Sequence, residues 1–271
     1  MQTTIRAILA LYLAHLLTDF VFQSSYLVQQ KKDGQFIGYV KHAAIHYLCA
    51  ALAAALFLPG MILSPRFQAA VIALTLVHLL IDVCKIQFAK SRPVADGALA
   101  FVVDQIVHFF TVVLAACWIE GTQLAAIARN SLQLMRAQSN RILLLLIVYV
   151  LVMFACGYLI RFVTKPLIRH IAKGKPKSFD SPPSETPAQL SNAGMYIGWL
   201  ERFLVLTALL LHSPATVGLI IAAKSIARYP QFRREQFAEY FLIGTLLSIC
   251  TAFVGGVVLM RVFFGSSALP Q

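Results

Sequence analysis

The sequence predicts an all-α polytopic membrane bundle of seven or eight transmembrane helices, and three observations predict it. The chain is 59% hydrophobic and only 13% charged, whereas soluble domains run near a quarter charged. Apolar runs of the ~20 residues needed to cross hydrocarbon recur along its length. Its basic residues fall mostly on one side of those runs. Sixteen of the 23 Lys and Arg residues lie in the loops after odd-numbered helices and six lie opposite, with Arg202 inside a helix. The net charge of +12 therefore reads as cytoplasmic loops facing anionic lipid head groups. No nucleic-acid signature accompanies it, and no nucleic-acid partner is expected. Five cysteines stand singly in apolar stretches, so neither a disulfide framework nor a zinc ribbon is expected.

Each element has its own signals. The first helix is expected from about Thr4 to Ser25. Its apolar run is interrupted by His15 and Asp19, which argues against a cleavable signal peptide. A polar loop, Gln29 to Gln35, leads to the second helix, about Phe36 to Leu58, which Pro59-Gly60 ends. Ser64-Pro65-Arg66 opens the third, carried to about Phe88. The fourth runs from about Ala98 to Ile119. From Glu120 to Asn140 the chain turns polar, and Leu124, Ile127, Leu132 and Met135 could form one face of a short interfacial helix. The fifth helix, Arg141 to about Ile160, runs into a basic stretch that begins at Arg161. Residues 174–190 collect Gly, Pro, Ser and Glu and read as a mobile linker. The sixth helix is about Gly194 to His212, and Pro214 breaks the chain after it. The segment from Thr216 to Arg228 either crosses with Lys224 snorkelling to the interface or re-enters, and the positive-inside rule argues for crossing. The eighth helix is about Phe237 to Val262.

These elements divide the chain into four parts. Residues 1–119 form a four-helix bundle. Residues 120–172 carry the interfacial segment, the fifth helix and its basic extension. Residues 173–193 are a cytoplasmic linker, and residues 194–271 supply the C-terminal helices. Both termini are expected outside and the odd-numbered loops in the cytoplasm.

The first four helices each carry a polar pair at i, i+4: His15/Asp19, His42/His46, His78/Asp82 and Asp104/His108. Residues four apart share one helix face, about 6 Å apart along the axis. The pairs lie late in helices one and three and early in helices two and four. With alternating helix directions, all four fall at the cytoplasmic end. Ionisable groups at such depth are costly and usually face a bundle interior. Five imidazoles and three carboxylates together suit Zn, Mn or Fe, with room for two ions or for one ion and supporting Asp–His partners. Gln23, Lys85 and Gln105 flank the set as supporting or substrate-contacting groups. The alternative is that the pairs are interhelical hydrogen bonds that glue the bundle. Without metal, Asp–His pairs could form a proton relay. A second polar set holds Glu201, Arg202 and Lys224. It reads as ion pairs that fasten helices, with head-group or phosphate contact by Arg202 and Lys224 as the sharper alternative.

The runs "LAHLLTDFVFQ", "KHAAIHYL", "VHLLIDVCKI" and "FVVDQIVHF" together resemble a bacterial membrane family catalogued as a domain of unknown function (number 3307), over about residues 8–115. The segments "GWLERFL", "IIAAKSIARY" and "AEYFLIGTLLS" look like the extension of its longer members. The resemblance implies a multi-pass fold in the bacterial inner membrane and no particular activity. A looser similarity links the HxxxD motifs to membrane-bound metal-dependent hydrolases, but the chain lacks the HR…THS segment of those proteins.

The functional expectation is a metal-dependent hydrolase of a lipid-linked or amphiphilic substrate. The catalytic candidates are Asp19, Asp82 and Asp104, and the ligands are drawn from His15, Asp19, His42, His46, His78, Asp82, Asp104 and His108. The alternatives are a metal-ion or proton-coupled transporter and a non-catalytic membrane scaffold.

Overall fold

The computed structural model describes residues 1–91, 97–127, 137–173, 193–230 and 235–265. Among them every regular element is helical, so the predicted all-α class holds. The linker expected at 173–193 falls almost entirely outside the described residues, as do Leu132 and Met135 of the expected interfacial helix.

The helices are α1 (Gln2–Leu16), α2 (Ser25–Lys32), α3 (Phe36–Phe57), α4 (Pro65–Ser91), α5 (Ala98–Glu120), α6 (Gln138–Val150), α7 (Cys156–Lys173), α8 (Ala193–Leu210), α9 (Pro214–Arg228) and α10 (Glu235–Phe264). Two π-helical turns interrupt the pattern, Leu17–Val21 after α1 and Leu151–Ala155 after α6. Six segments are long and apolar enough to cross a membrane: Gln2–Val21, Phe36–Phe57, Pro65–Ser91, Ala98–Glu120, Asn140–Thr164 and Phe241–Phe264. α8 and α9, the other two of the eight expected crossings, are shorter and not among them.

The chain forms two compact units, Met1–Val150 and Leu151–Gln271. In the first, α1 is central and packs on α3, α5 and α6, while α4 packs between α3 and α5. The helices α1, α3, α4 and α5 therefore close a four-membered ring. Small residues allow close approach at its seams: Ala7, Ala10 and Ala14 on α1 and Ala50, Ala53 and Ala54 on α3 are all buried. The outward faces are apolar. Leu52, Leu56 and Leu80 are each more than 60% exposed, whereas His42 is fully buried. Apolar outside and polar inside suits lipid as the solvent, and the chain is a multi-pass membrane protein.

The structure replaces part of the predicted polar loop Gln29–Gln35 with helix. Ser24 caps α2 by accepting from the Leu27 amide (3.2 Å). α2 then lies tightly against α3 at Gly38, where a Cβ would meet the Gln30 Cβ at 2.8 Å. That approach carries Lys31 into the bundle, where it is buried.

In the second unit α8 packs on α9 and α10, and α10 packs on α7. Arg202 reaches the Met153 carbonyl in the second π turn. Its Nε (3.2 Å) and Nη2 (2.7 Å) donate to that oxygen, and its Nη1 donates to Ser248 Oγ (3.3 Å). Gly157 makes room for the guanidinium, since a Cβ there would lie 2.7 Å from Nη2.

Candidate metal centre

The ring of α1, α3, α4 and α5 gathers the polar pairs of the four helices. The π turn Leu17–Val21 inserts one extra residue next to Asp19, closed by the Phe22 amide donating to the Leu17 carbonyl (2.9 Å). Such turns re-aim side chains and recur at functional sites. His15 stands 3.9 Å from Asp19, and Asp19 Oδ1 lies 3.4 Å from both His42 Nε2 and His78 Nε2. His42 Nε2 and His78 Nε2 are 2.8 Å apart. A point about 2.1 Å from all three of these atoms lies about 1 Å outside their plane, and 2.0–2.2 Å is the bond length zinc takes to imidazole and carboxylate.

Asp82 extends the set in two directions. Its Oδ2 is 3.5 Å from His42 Nε2 and 4.0 Å from His78 Nε2, and its Oδ1 is 3.8 Å from His108 Nε2. Asp104 Oδ1 lies 3.6 Å from the same His108 nitrogen. The two halves meet where His78 Nδ1 faces His108 Nδ1 at 3.3 Å. Three groups have donor atoms all within 4.8 Å of one another: Asp19/His42/His78, Asp82/Asp104/His108 and His15/His78/His108.

Two lysines hold the second oxygen of two carboxylates. Lys31 Nζ donates to Asp82 Oδ2 and to Gln23 Oε1, each at 2.5 Å. Lys85 Nζ donates to Asp104 Oδ2 (2.6 Å), and Gln105 Nε2 donates to the same oxygen (3.2 Å). The remaining oxygens, Asp82 Oδ1 and Asp104 Oδ1, both lie within 4 Å of His108 Nε2.

The distances weigh the glue reading against the ligand reading. Hydrogen bonds that fasten helices close to about 2.7–3.2 Å. The His–Asp contacts here are 3.4–4.0 Å, at or beyond the ~3.4 Å edge of a tetrahedron with 2.1 Å bonds, whereas His42 Nε2 and His78 Nε2, 2.8 Å apart, are at hydrogen-bond distance. His15 Nε2, Asp19 Oδ1, His42 Nδ1, Asp104 Oδ1 and His108 Nε2 are buried without hydrogen-bond partners. An ion bound at the centre would give His15 Nε2, Asp19 Oδ1, Asp104 Oδ1 or His108 Nε2 a partner, and a buried polar atom left without one costs about 1–3 kcal/mol.

Seven of the eight predicted ligands thus fall into these three groups. His46 does not. Its Nδ1 meets Thr75 Oγ1 (2.9 Å), and its ring stacks on His78 at 4.7 Å between centroids. Gln23, Lys85 and Gln105 touch the centre as described. Arg202 and Lys224 lie in the second unit, where Lys224 donates to Glu201 Oε2 (2.6 Å) and Arg202 clamps the π turn. Sequence reasoning missed Lys31 and Thr75. Thr75 lies three residues before His78 on the same helix, and that spacing was the available signal; Lys31 lies on a separate short helix that starts after Gln23, so no spacing marked it.

Residues 7–135 match the model of a family described as Protein of unknown function (DUF3307), the family that the four motifs resemble. This stretch contains every residue of the centre. No curated protein and no solved structure matches the chain.

Proposed function

We propose that this membrane protein binds a divalent transition metal (Zn, Mn or Fe) through Asp19, His42 and His78 and uses it to hydrolyse a lipid-linked or amphiphilic substrate. The observation that carries the reading is the Asp19 Oδ1, His42 Nε2 and His78 Nε2 triangle, with edges of 3.4, 3.4 and 2.8 Å. Two imidazoles and one carboxylate make a three-ligand set of the catalytic kind, which leaves a position open for water. A metal held by these three residues would lower the pKa of a water bound there. Asp82 borders the position, its Oδ2 3.5 Å from His42 Nε2, and its Oδ1, which Lys31 leaves free, would take the proton. Lys31 balances the charge of Asp82 and holds its orientation.

Metal analysis of the purified protein, with the His78→Gln variant beside it, tests the reading. About one equivalent in the wild type and much less in the variant are expected. Substoichiometric metal in the wild type after exposure to excess zinc overturns it. Chelator-sensitive turnover of a chromogenic long-chain ester or lipid phosphodiester, lost in Asp82→Asn, then tests hydrolysis.

The second reading is ion or proton transport. It is favoured by the continuous chain His42 Nε2–His78 Nε2 (2.8 Å) and His78 Nδ1–His108 Nδ1 (3.3 Å), which could relay protons. Metal-dependent flux into proteoliposomes without hydrolysis would favour it over the first. In both readings the protein sits in the bacterial inner membrane with the centre toward the cytoplasmic face, its termini outside and its basic loops against anionic lipid.

A further inference from the structure

We infer that the centre offers one ion two alternative positions, and that the His78–His108 hydrogen bond keeps them from filling together. The inference rests on the metal reading above. The first position is Asp19, His42 and His78. The second is Asp82 Oδ1, Asp104 Oδ1 and His108 Nε2, with His108 at 3.8 and 3.6 Å from the two oxygens. The second position is built. His108 Nε2 and Asp104 Oδ1 are buried without hydrogen-bond partners, and both belong to residues less than a tenth exposed. Lys31 and Lys85 occupy only the Oδ2 atoms, so both Oδ1 atoms remain available as ligands.

The exclusion follows from donor counting. A neutral imidazole carries one proton, and the nitrogen that ligates a metal has none, so its other nitrogen is N–H. His78 Nδ1 and His108 Nδ1 share one contact of 3.3 Å, in which one must donate and the other accept. With the ion at the first position, His78 Nε2 ligates, His78 Nδ1–H donates to His108 Nδ1, and His108 Nε2–H faces Asp104 and Asp82. With the ion at the second, His108 Nε2 ligates and His108 Nδ1–H donates to His78 Nδ1. His78 Nε2–H then faces His42 Nε2 (2.8 Å) and Asp19 Oδ1 (3.4 Å). Each ring keeps one proton in both states, so the exchange needs no net proton. Filling both positions would set N–H against N–H across 3.3 Å and lose the bond.

Cobalt(II) titration of the full-length protein in detergent, followed by visible absorption and by metal content, tests this. Expected are one equivalent in the wild type, one equivalent with a changed spectrum in Asp19→Asn, one in Asp104→Asn, and none in the double variant; cobalt retained there would assign the ion to His15, His78 and His108 and overturn both positions. Each near-isosteric variant is checked for monodispersity and helicity. Two equivalents in the wild type overturn the exclusion. Loss of cobalt in Asp19→Asn with wild-type helicity overturns the second position while leaving the metal reading intact. No cobalt in the wild type overturns both.

Discussion

Replacing Lys31 by Met removes an ammonium from the centre and keeps most of the side chain's length. The Lys31 Nζ to Asp82 Oδ2 distance is 2.5 Å, and both side chains are at most 10% exposed. At an effective dielectric of 20 the gross attraction is about 7 kcal/mol. Desolvation of two buried ions offsets much of it, and removing one partner of such a pair costs about 3–5 kcal/mol because the other charge stays buried and unpaired. Asp82 also borders the proposed ion, which would supply positive charge in place of the lysine. Lys31→Met is therefore expected to lose about 3–5 kcal/mol in metal-free protein and less than half of that with saturating zinc. Helicity followed through graded addition of SDS to detergent micelles, with zinc and with chelator, measures both. A metal-free loss below about 1 kcal/mol would refute the burial argument. An equal loss with and without zinc would refute the placement of the ion beside Asp82.

Thr75→Val removes the partner of His46 Nδ1 and is expected to cost about 1–3 kcal/mol in the same denaturation, with metal content unchanged, because His46 lies outside the ligand groups. Gly157→Ala places a Cβ 2.7 Å from Arg202 Nη2 and is expected to destabilise by about 1–3 kcal/mol; Gly218→Ala, with nothing within 4 Å of its Cβ, should be neutral or stabilising by up to about 1 kcal/mol. Thermal unfolding in detergent compares the two glycine variants.

The all-α class and the convergence of the polar pairs were legible in the sequence, because a helix repeats every 3.6 residues and places i, i+4 pairs on one face. His15/Asp19, His78/Asp82 and Asp104/His108 needed only that rule and the apolar length of their helices to be brought together. His46 obeyed the same spacing as His42, yet its nitrogen turned to Thr75, since spacing fixes a face and not the partner a ring nitrogen finds. Lys31 was hidden because a polar run of Gln and Lys reads as loop. Its burial depends on the close approach that Gly38 permits between α2 and α3, a packing detail no local pattern encodes. The π turn beside Asp19 was equally hidden, since LTDFV carries no proline or glycine to mark it. Arg202 read as an ion-pairing or head-group residue, whereas its guanidinium donates to the Met153 carbonyl in the second π turn, a partner 49 residues away that no local spacing marks.

X-ray absorption at the zinc edge of the purified, zinc-loaded protein tests the central claim most directly. The account predicts a first shell of nitrogen and oxygen at about 2.0–2.2 Å, with outer-shell scattering from two imidazoles and none at the ~2.3 Å of a thiolate. Zinc that does not co-purify or bind on titration, or a first shell without imidazole, would contradict it.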